Sequence, residues 1–278
     1  MDLKIMTWNV EHFSGTKRAE KAGRVDRVIA HITAEDPDVF GLLEVEGSES
    51  FNQIAQSMTD YTFMLTEGRQ VQEILIGFKR TLRAFITQKG EFKENNLDLR
   101  PAALLTITSD TGKHLPILFG HFKSGSDPKG WGLRASMFEK VGSLKKVINR
   151  IAAAQGDGSG GMVVLRDLNT MGMTLTDSDG DIDADAEILR LNERFARVGL
   201  RPVIKSHPHT FSNGTGSSYP DSDLDHVFVD IGMTLETDAN GADAQVGGWA
   251  LESAGPARDA WIASMSDHAP VTFKILNY

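Results

Sequence analysis

The sequence predicts an α/β fold (α+β in its hairpin-rich middle), two packed mixed sheets with helices outside, and three observations carry that prediction. Helical and strand periodicities alternate near both ends of the chain, short apolar runs crowd its middle, and the Gly/Ser stretches are single turns rather than linkers. One domain over residues 1–278 accommodates this order.

The elements follow in sequence. Leu3–Val10 alternates as a strand and stops at Asn9-Val10-Glu11. Lys17–Glu35 carries Val25, Val28, Ile29 and Ile32 at helical spacing, with Pro37 beyond its end. Asp38–Val45 is nearly continuous in apolar residues, as a strand buried on both faces is. Phe51–Met58 returns to helical spacing. Tyr61–Leu65, Ile74–Phe78, Ala84–Gln88, Ala102–Thr108 and Leu115–Phe119 read as strands close enough for hairpins. A long helix over Leu133–Ala154 precedes a Gly-rich turn, Gly156 to Gly161, and the strand Met162–Leu165. A helix over Ala184–Val198 leads to strands near Val203 and Thr210, then His226–Val229 and Val271–Leu276.

Composition narrows the chemistry. Hydrophobic residues at 40% and charged residues at 24% fit a globular protein. No run approaches the roughly 18 apolar residues of a membrane span. The N-terminus reads as a strand and not as a signal peptide, so a cytoplasmic location is the default expectation. Cysteine is absent, which excludes disulfides and thiolate metal sites. The net charge of −9 is uneven: Ser206–Tyr278 holds ten acidic and two basic residues, whereas His121–Arg150 holds seven basic and two acidic. The basic segment suits a polyanion, or else is an ordinary solvated helix face.

Polar residues recur where apolar strands end and side chains reach a shared cleft. Asn9 and Glu11 follow the first strand, Glu44 closes Gly41-Leu-Leu-Glu44, and His121 opens His121-Phe-Lys-Ser124. Asp167 and Asn169 follow Met162–Leu165, Asp225 precedes the run at Val227, and Asp267-His268 precedes the last strand. A single such residue is ordinary turn chemistry; the number and placement of these argue for a site.

The ordered set Trp8-Asn9, Leu43-Glu44, His121-Phe-Lys-Ser124, Asp167-Leu-Asn169, Asp225 and Ser266-Asp-His268 resembles the endonuclease/exonuclease/phosphatase superfamily from residue 8 to residue 271. That resemblance implies a four-layer α/β/β/α sandwich and hydrolysis of phosphate esters. It also implies that His268 is the general base toward water, while His121 serves the leaving oxygen or a phosphate oxygen. Asp225 would orient His121, Glu73 would orient His268, and Asp167 and Asn169 would place the water or bind phosphoryl oxygens.

The chemistry itself asks for such groups. An anionic diester repels hydroxide, so hydrolysis needs charge neutralisation, an activated water and help for the leaving oxygen. Glu44 is the natural ligand for a hard cation, with Asn9 as a neutral oxygen and Asp267 as a second carboxylate. Glu11 stands where part of the superfamily has aspartate, and one more methylene still reaches the metal region. Mg²⁺ suits so sparse an oxygen set, with Mn²⁺ or Ca²⁺ as alternatives. The histidines titrate near neutrality and can move protons.

Lys123, Ser124, Lys129 and Arg134 are the expected phosphate contacts, and DNA or RNA the expected substrate; a lipid, an inositol phosphate or another small phosphate ester is the alternative, and a catalytically silent binding module on the same scaffold comes third. Arg166 stands where the superfamily usually has glycine and is expected to point away from the cleft. Asp177–Glu187 fails the EF-hand spacing and reads as acidic helix capping. His12, His31 and His114 read as surface residues, and His207 and His209 as an exposed loop. Trp131 alone among the tryptophans is a candidate for stacking on a base.

Overall fold

A computed structural model describes residues 1–14, 22–68, 72–93, 96, 99–156 and 160–278, apart from the side chain of Arg166. In chain order the elements are β1 (Leu3–Phe13), α1 (Arg24–Glu35), β2 (Val39–Glu46), α2 (Ser48–Ser57), β3 (Tyr61–Leu65) and β4 (Gln72–Lys79). There follow β5 (Arg83–Lys89), β6 (Ala102–Thr108), β7 (His114–His121), α3 (Pro128–Ala154), β8 (Val163–Asp167), α4 (Ala184–Ala196) and β9 (Leu200–Pro202). The chain closes with β10 (Asp225–Asp230), β11 (Thr234–Leu235), β12 (Ala244–Val246), α5 (Pro256–Ser264) and β13 (Val271–Leu276). Residues 17–21 of the first expected helix, 157–159 of the Gly-rich turn, and the outward placing of Arg166 lie outside the described residues and side chains.

Several boundaries differ from the periodicity, each for a local reason. The α3 helix starts at Pro128 rather than Leu133, because the Asp127 carboxylate accepts from the Lys129 and Gly130 amides and Pro128 supplies a helical φ. The α4 helix starts at the expected Ala184, capped by Asp183, which accepts from the Ala186 amide at 2.6 Å. Part of the acidic run is thus capping. No strand forms at Thr210; Phe211 makes single bridges to Ser222 and His268 instead. The β11 and β12 strands are too short to leave a periodic signal, and α5 buries Arg258 rather than an apolar stripe.

Backbone contacts group the chain into two compact units. The first comprises Met1–Ala84, Ile204–Asp223 and Thr234–Tyr278. Its sheet runs β11-β13-β1-β2-β4-β3, with β12 beside β13. The β1 and β2 strands are parallel, and α1 makes the crossover that such a pair requires. The α1 and α2 helices cover the sheet with Val28, Ile32 and Ile54 against Met6, Trp8, Phe40 and Leu42.

The second unit comprises Phe85–Val203 and Leu224–Met233, with sheet order β5-β6-β7-β8-β10-β9. Here β7 and β8 are the parallel pair and α3 the crossover. Its core joins Phe138 and Val141 of α3 and Leu191 and Phe195 of α4 to Leu118, Val164 and Phe228 of the sheet. Each unit is therefore a mixed sheet carrying helices, the α/β composition that the sequence predicts. Among the described residues no helix is long and apolar enough to cross a membrane.

Candidate active site

The residues singled out by the sequence fall into two sets, one in each unit. In the first unit, two irregularities in the sheet place them. Register between β1 and β2 passes from Asn9↔Leu43 directly to Phe13↔Val45, so β1 carries extra residues between. Register between β2 and β4 passes from Leu42↔Leu75 to Val45↔Glu73, a bulge at Leu43 and Glu44. Extra residues bend a strand and re-aim its side chains. Glu11, His12 and Glu44 accordingly have φ of 44°, 45° and 62°, a left-handed conformation costly for residues other than glycine.

The side chains at these bulges bind one another. Asn9 Nδ2 donates to Glu44 Oε1 at 3.1 Å and lies 3.5 Å from His268 Nε2. Asn9 Oδ1 accepts from the Glu11 amide at 3.1 Å. Glu44 Oε2 accepts from the His12 amide at 3.1 Å and from Gln72 Nε2 at 2.9 Å. A carboxylate held by three directed donors is fixed in position.

The Ser266-Asp-His268 turn is tied to β1. The Ser266 hydroxyl donates to the Asn9 carbonyl at 2.8 Å and accepts from the His268 amide at 3.1 Å. The Trp8 indole donates to the His268 carbonyl at 2.9 Å. The His268 ring is 6% exposed, packs on Phe211 with centroids 5.1 Å apart, and lies 4.0 Å from Asp267 Oδ1. Ser266 and Trp8 thus act on the site by holding its backbone. Glu73, on β4, accepts from the Thr66 hydroxyl at 2.5 Å.

In the second unit the candidates form a row across three strands. His121 on β7 is in register with Asp167 on β8, which is in register with Asp225 on β10. Residues directly opposite point to the same face. His121 Nε2 lies 3.6 Å from Asp167 Oδ2, and carboxylate oxygens of Asp167 and Asp225 lie within 4.8 Å of each other. Exposures of 5%, 1% and 3% put an imidazole and two carboxylates out of bulk water, where neighbouring positive charge matters most. Arg100, which no strand-end pattern marks in the sequence, brings its Nη1 to 3.5 Å from His121 Nε2. Asn169, at φ 51°, donates its amide to Asp167 Oδ1 at 3.1 Å and its Nδ2 to the Phe122 carbonyl at 3.2 Å.

The basic segment is less exposed than its sequence suggests. Arg134 is not a phosphate contact: it is 0% exposed, and its guanidinium meets Glu187 at 2.9 Å and the carbonyls of Gly125 and Gly172 at 2.6 and 2.8 Å. Lys145, equally buried, is paired with Asp230. Burying a cation demands a partner, so both charges are neutralised inside the unit. Lys129 and Ser124 are exposed and Lys123 is half-buried, which keeps these three available to a ligand. His31 is no plain surface residue either. It is half-buried against Trp8, and burial lowers its pKa against the opposing pull of Glu35.

For a metal, the donor chemistry in the first unit fits a hard divalent cation. Glu44, Asn9, Glu11 and Asp267 offer carboxylate and amide oxygens on adjoining segments of β1, β2 and the turn before β13, and the chain has no thiolate.

No protein-family model and no curated protein matches the chain. Solved structures do. The endonuclease/exonuclease/phosphatase protein of Bacteroides vulgatus aligns over 100% of both chains with a TM-score of 0.64 at 15% identity. TDP2 of D. rerio, complexed with a single-strand DNA product, aligns over 99% of each chain with a TM-score of 0.65 at 15% identity. A mannosyl-6-phosphatase of Bacteroides thetaiotaomicron aligns over 99% of this chain and 100% of its own, with a TM-score of 0.63 at 15% identity. The chain therefore has the endonuclease/exonuclease/phosphatase fold, the α/β sandwich implied by the sequence motifs.

Proposed function

We propose that residues 1–278 act as one hydrolase that cleaves phosphodiesters with a divalent cation, Mg²⁺ first, and that DNA or RNA is its substrate. The observation that carries this reading is the bonded set in which Asn9 touches both Glu44 and His268: a carboxylate suited to a cation is linked to an imidazole suited to a proton. Glu44, Asn9, Asp267 and Glu11 would hold the cation, which when bound offsets the charge of the phosphate.

The chain's own groups do the rest. His268 takes the proton of the attacking water, with Asn9 and Asp267 beside its Nε2. His121 gives a proton to the leaving oxygen or holds a phosphate oxygen. Asp225 orients it, Asp167 and Asn169 place the water or the phosphoryl oxygens, and Glu73 steadies His268. Arg100, next to His121, adds a cation for the phosphate. Lys123, Ser124 and Lys129 receive the flanking backbone.

A second reading, a lipid, inositol phosphate or other small phosphate ester as substrate, is favoured by the burial of Arg134 and Lys145, which leaves less basic surface for a polyanion. The D. rerio protein with its DNA product supports the first reading, the mannosyl-6-phosphatase the second. Incubation with plasmid DNA, single-stranded DNA, RNA, bis-p-nitrophenyl phosphate, sphingomyelin and a hexose phosphate in Mg²⁺ separates them. Cleavage of nucleic acid supports the nuclease. Cleavage of only a lipid or small ester replaces it with the second reading, and no cleavage of any ester rejects both.

A further inference from the structure

The β1–β2 register passes from Asn9 directly to Phe13, which places the carbonyls of Val10, Glu11 and His12 in the bulge, and all three accept from one side chain. Arg24, the first residue of α1, supplies the donors. Its Nη1 lies 3.0 Å from the Val10 carbonyl, 2.8 Å from that of Glu11 and 3.1 Å from that of Met265, and its Nη2 lies 2.9 Å from that of His12. The guanidinium is 7% exposed and sits over the Phe13 ring at 5.3 Å. Burial lowers its pKa, and the charges of Glu11 and Asp267 oppose that shift. One planar cation thus clasps two segments: the bulge that carries Glu11, and Met265, which leads into Ser266-Asp-His268.

We infer that Arg24 is a positioning residue for the cation site, fixing Glu11 and Asp267 relative to Asn9 and Glu44. A lysine cannot replace it, because one ammonium has three donors and no fork to span four carbonyls. Without Arg24 the residues at φ 44° and 45° lose the bonds that hold them in a disfavoured conformation, and the bulge can relax toward ordinary strand geometry. The ligands then remain in the sequence but not in place.

The inference rests on the metal-dependent reading, and the test distinguishes the two. Mn²⁺ binding is measured by titration calorimetry and by loss of the free-ion paramagnetic resonance signal, for the wild type, Glu44→Gln, Arg24→Met and Arg24→Lys. Circular dichroism and the unfolding midpoint are recorded on the same samples. The expected result is that Arg24→Met weakens Mn²⁺ binding by about 10- to 100-fold, the range for groups that orient ligands. Arg24→Lys is expected to fall between it and the wild type, with native dichroism. Wild-type affinity in either folded Arg24 variant overturns the inference while the metal reading stands, as does a lowered midpoint with unchanged affinity. If Arg24→Met does not fold, Arg24→Lys decides by the same criterion. Absence of Mn²⁺ binding in the wild type overturns the metal reading itself, and this inference with it.

Discussion

Replacing Arg134 by methionine separates a structural role from a substrate contact, because the two predict opposite phenotypes. The side chain fills a fully buried position and meets Glu187, itself only 4% exposed, at 3.0 Å through Nε and 2.9 Å through Nη2. Methionine keeps most of the apolar volume but leaves Glu187 as a buried charge whose remaining described donor is the Gly172 amide at 2.8 Å. Breaking one side of such a pair costs about 3–5 kcal/mol. At roughly 2–4 °C per kcal/mol for a chain of this size class, the melting midpoint is expected to fall by about 10 °C. Arg134→Met/Glu187→Leu removes both charges and is expected to recover much of the loss, since an apolar replacement of a whole buried pair is often neutral. Differential scanning calorimetry measures all three proteins. A midpoint within about 2 °C of wild type for Arg134→Met, combined with a raised KM for DNA, would refute the reasoning and return Arg134 to the substrate surface.

Three further outcomes follow. His121→Ala and His268→Ala are each expected to lower kcat by on the order of 10²-fold with native dichroism, and Asp225→Asn by less, measured on bis-p-nitrophenyl phosphate; wild-type rates in both histidine variants would reject the proton-transfer roles. Lys129→Glu is expected to raise KM for DNA and flatten its salt dependence by about 0.9 log unit per lost duplex phosphate contact, with little change toward the small diester; equal effects on both substrates would place Lys129 outside the nucleic-acid surface. Asp221 is drawn in opposite directions, as burial raises its pKa while hydrogen bonds from Arg258 and Ser212 and the Arg258 charge hold it below the usual carboxylate value. Its contribution to stability is therefore complete above the unfolded pKa of about 3.9 and is lost as pH falls through the lower folded value. The midpoint difference between wild type and Asp221→Asn is expected to shrink below about pH 4, and a difference constant with pH would reject this.

How far the sequence could be read depends on the range of the interaction. Strands and helices of more than about five residues carry a periodic signal, and polar residues at their ends stand out against it, which is how Asn9, Glu44, His121, Asp167 and His268 became candidates. A bulge leaves no such mark: nothing in Leu43-Glu44 announces that Glu44 adopts a left-handed conformation at the point where β2 slips against β4. Partnerships between distant residues were equally hidden. Arg134 and Glu187 are 53 positions apart, and Lys145 and Asp230 are 85 apart, so both basic residues looked available to a polyanion until the fold paired them. Arg24 resembled any charged residue within the expected helix Lys17–Glu35. The early beginning of α3, at Pro128 rather than Leu133, had a signal that periodicity passes over: Asp127-Pro128 is a cap followed by a proline at the first helical position.

The central claim, that Glu44 and its neighbours hold a divalent cation for phosphodiester hydrolysis, is tested most directly by one titration. Release of p-nitrophenol from bis-p-nitrophenyl phosphate is followed in excess EDTA and then across increasing Mg²⁺ or Mn²⁺, for wild type beside Glu44→Gln. The account predicts no release in EDTA, saturable restoration by the metal in wild type, and restoration only at much higher metal concentration in the variant. Undiminished release in excess EDTA, or identical metal curves for the two proteins, would contradict it.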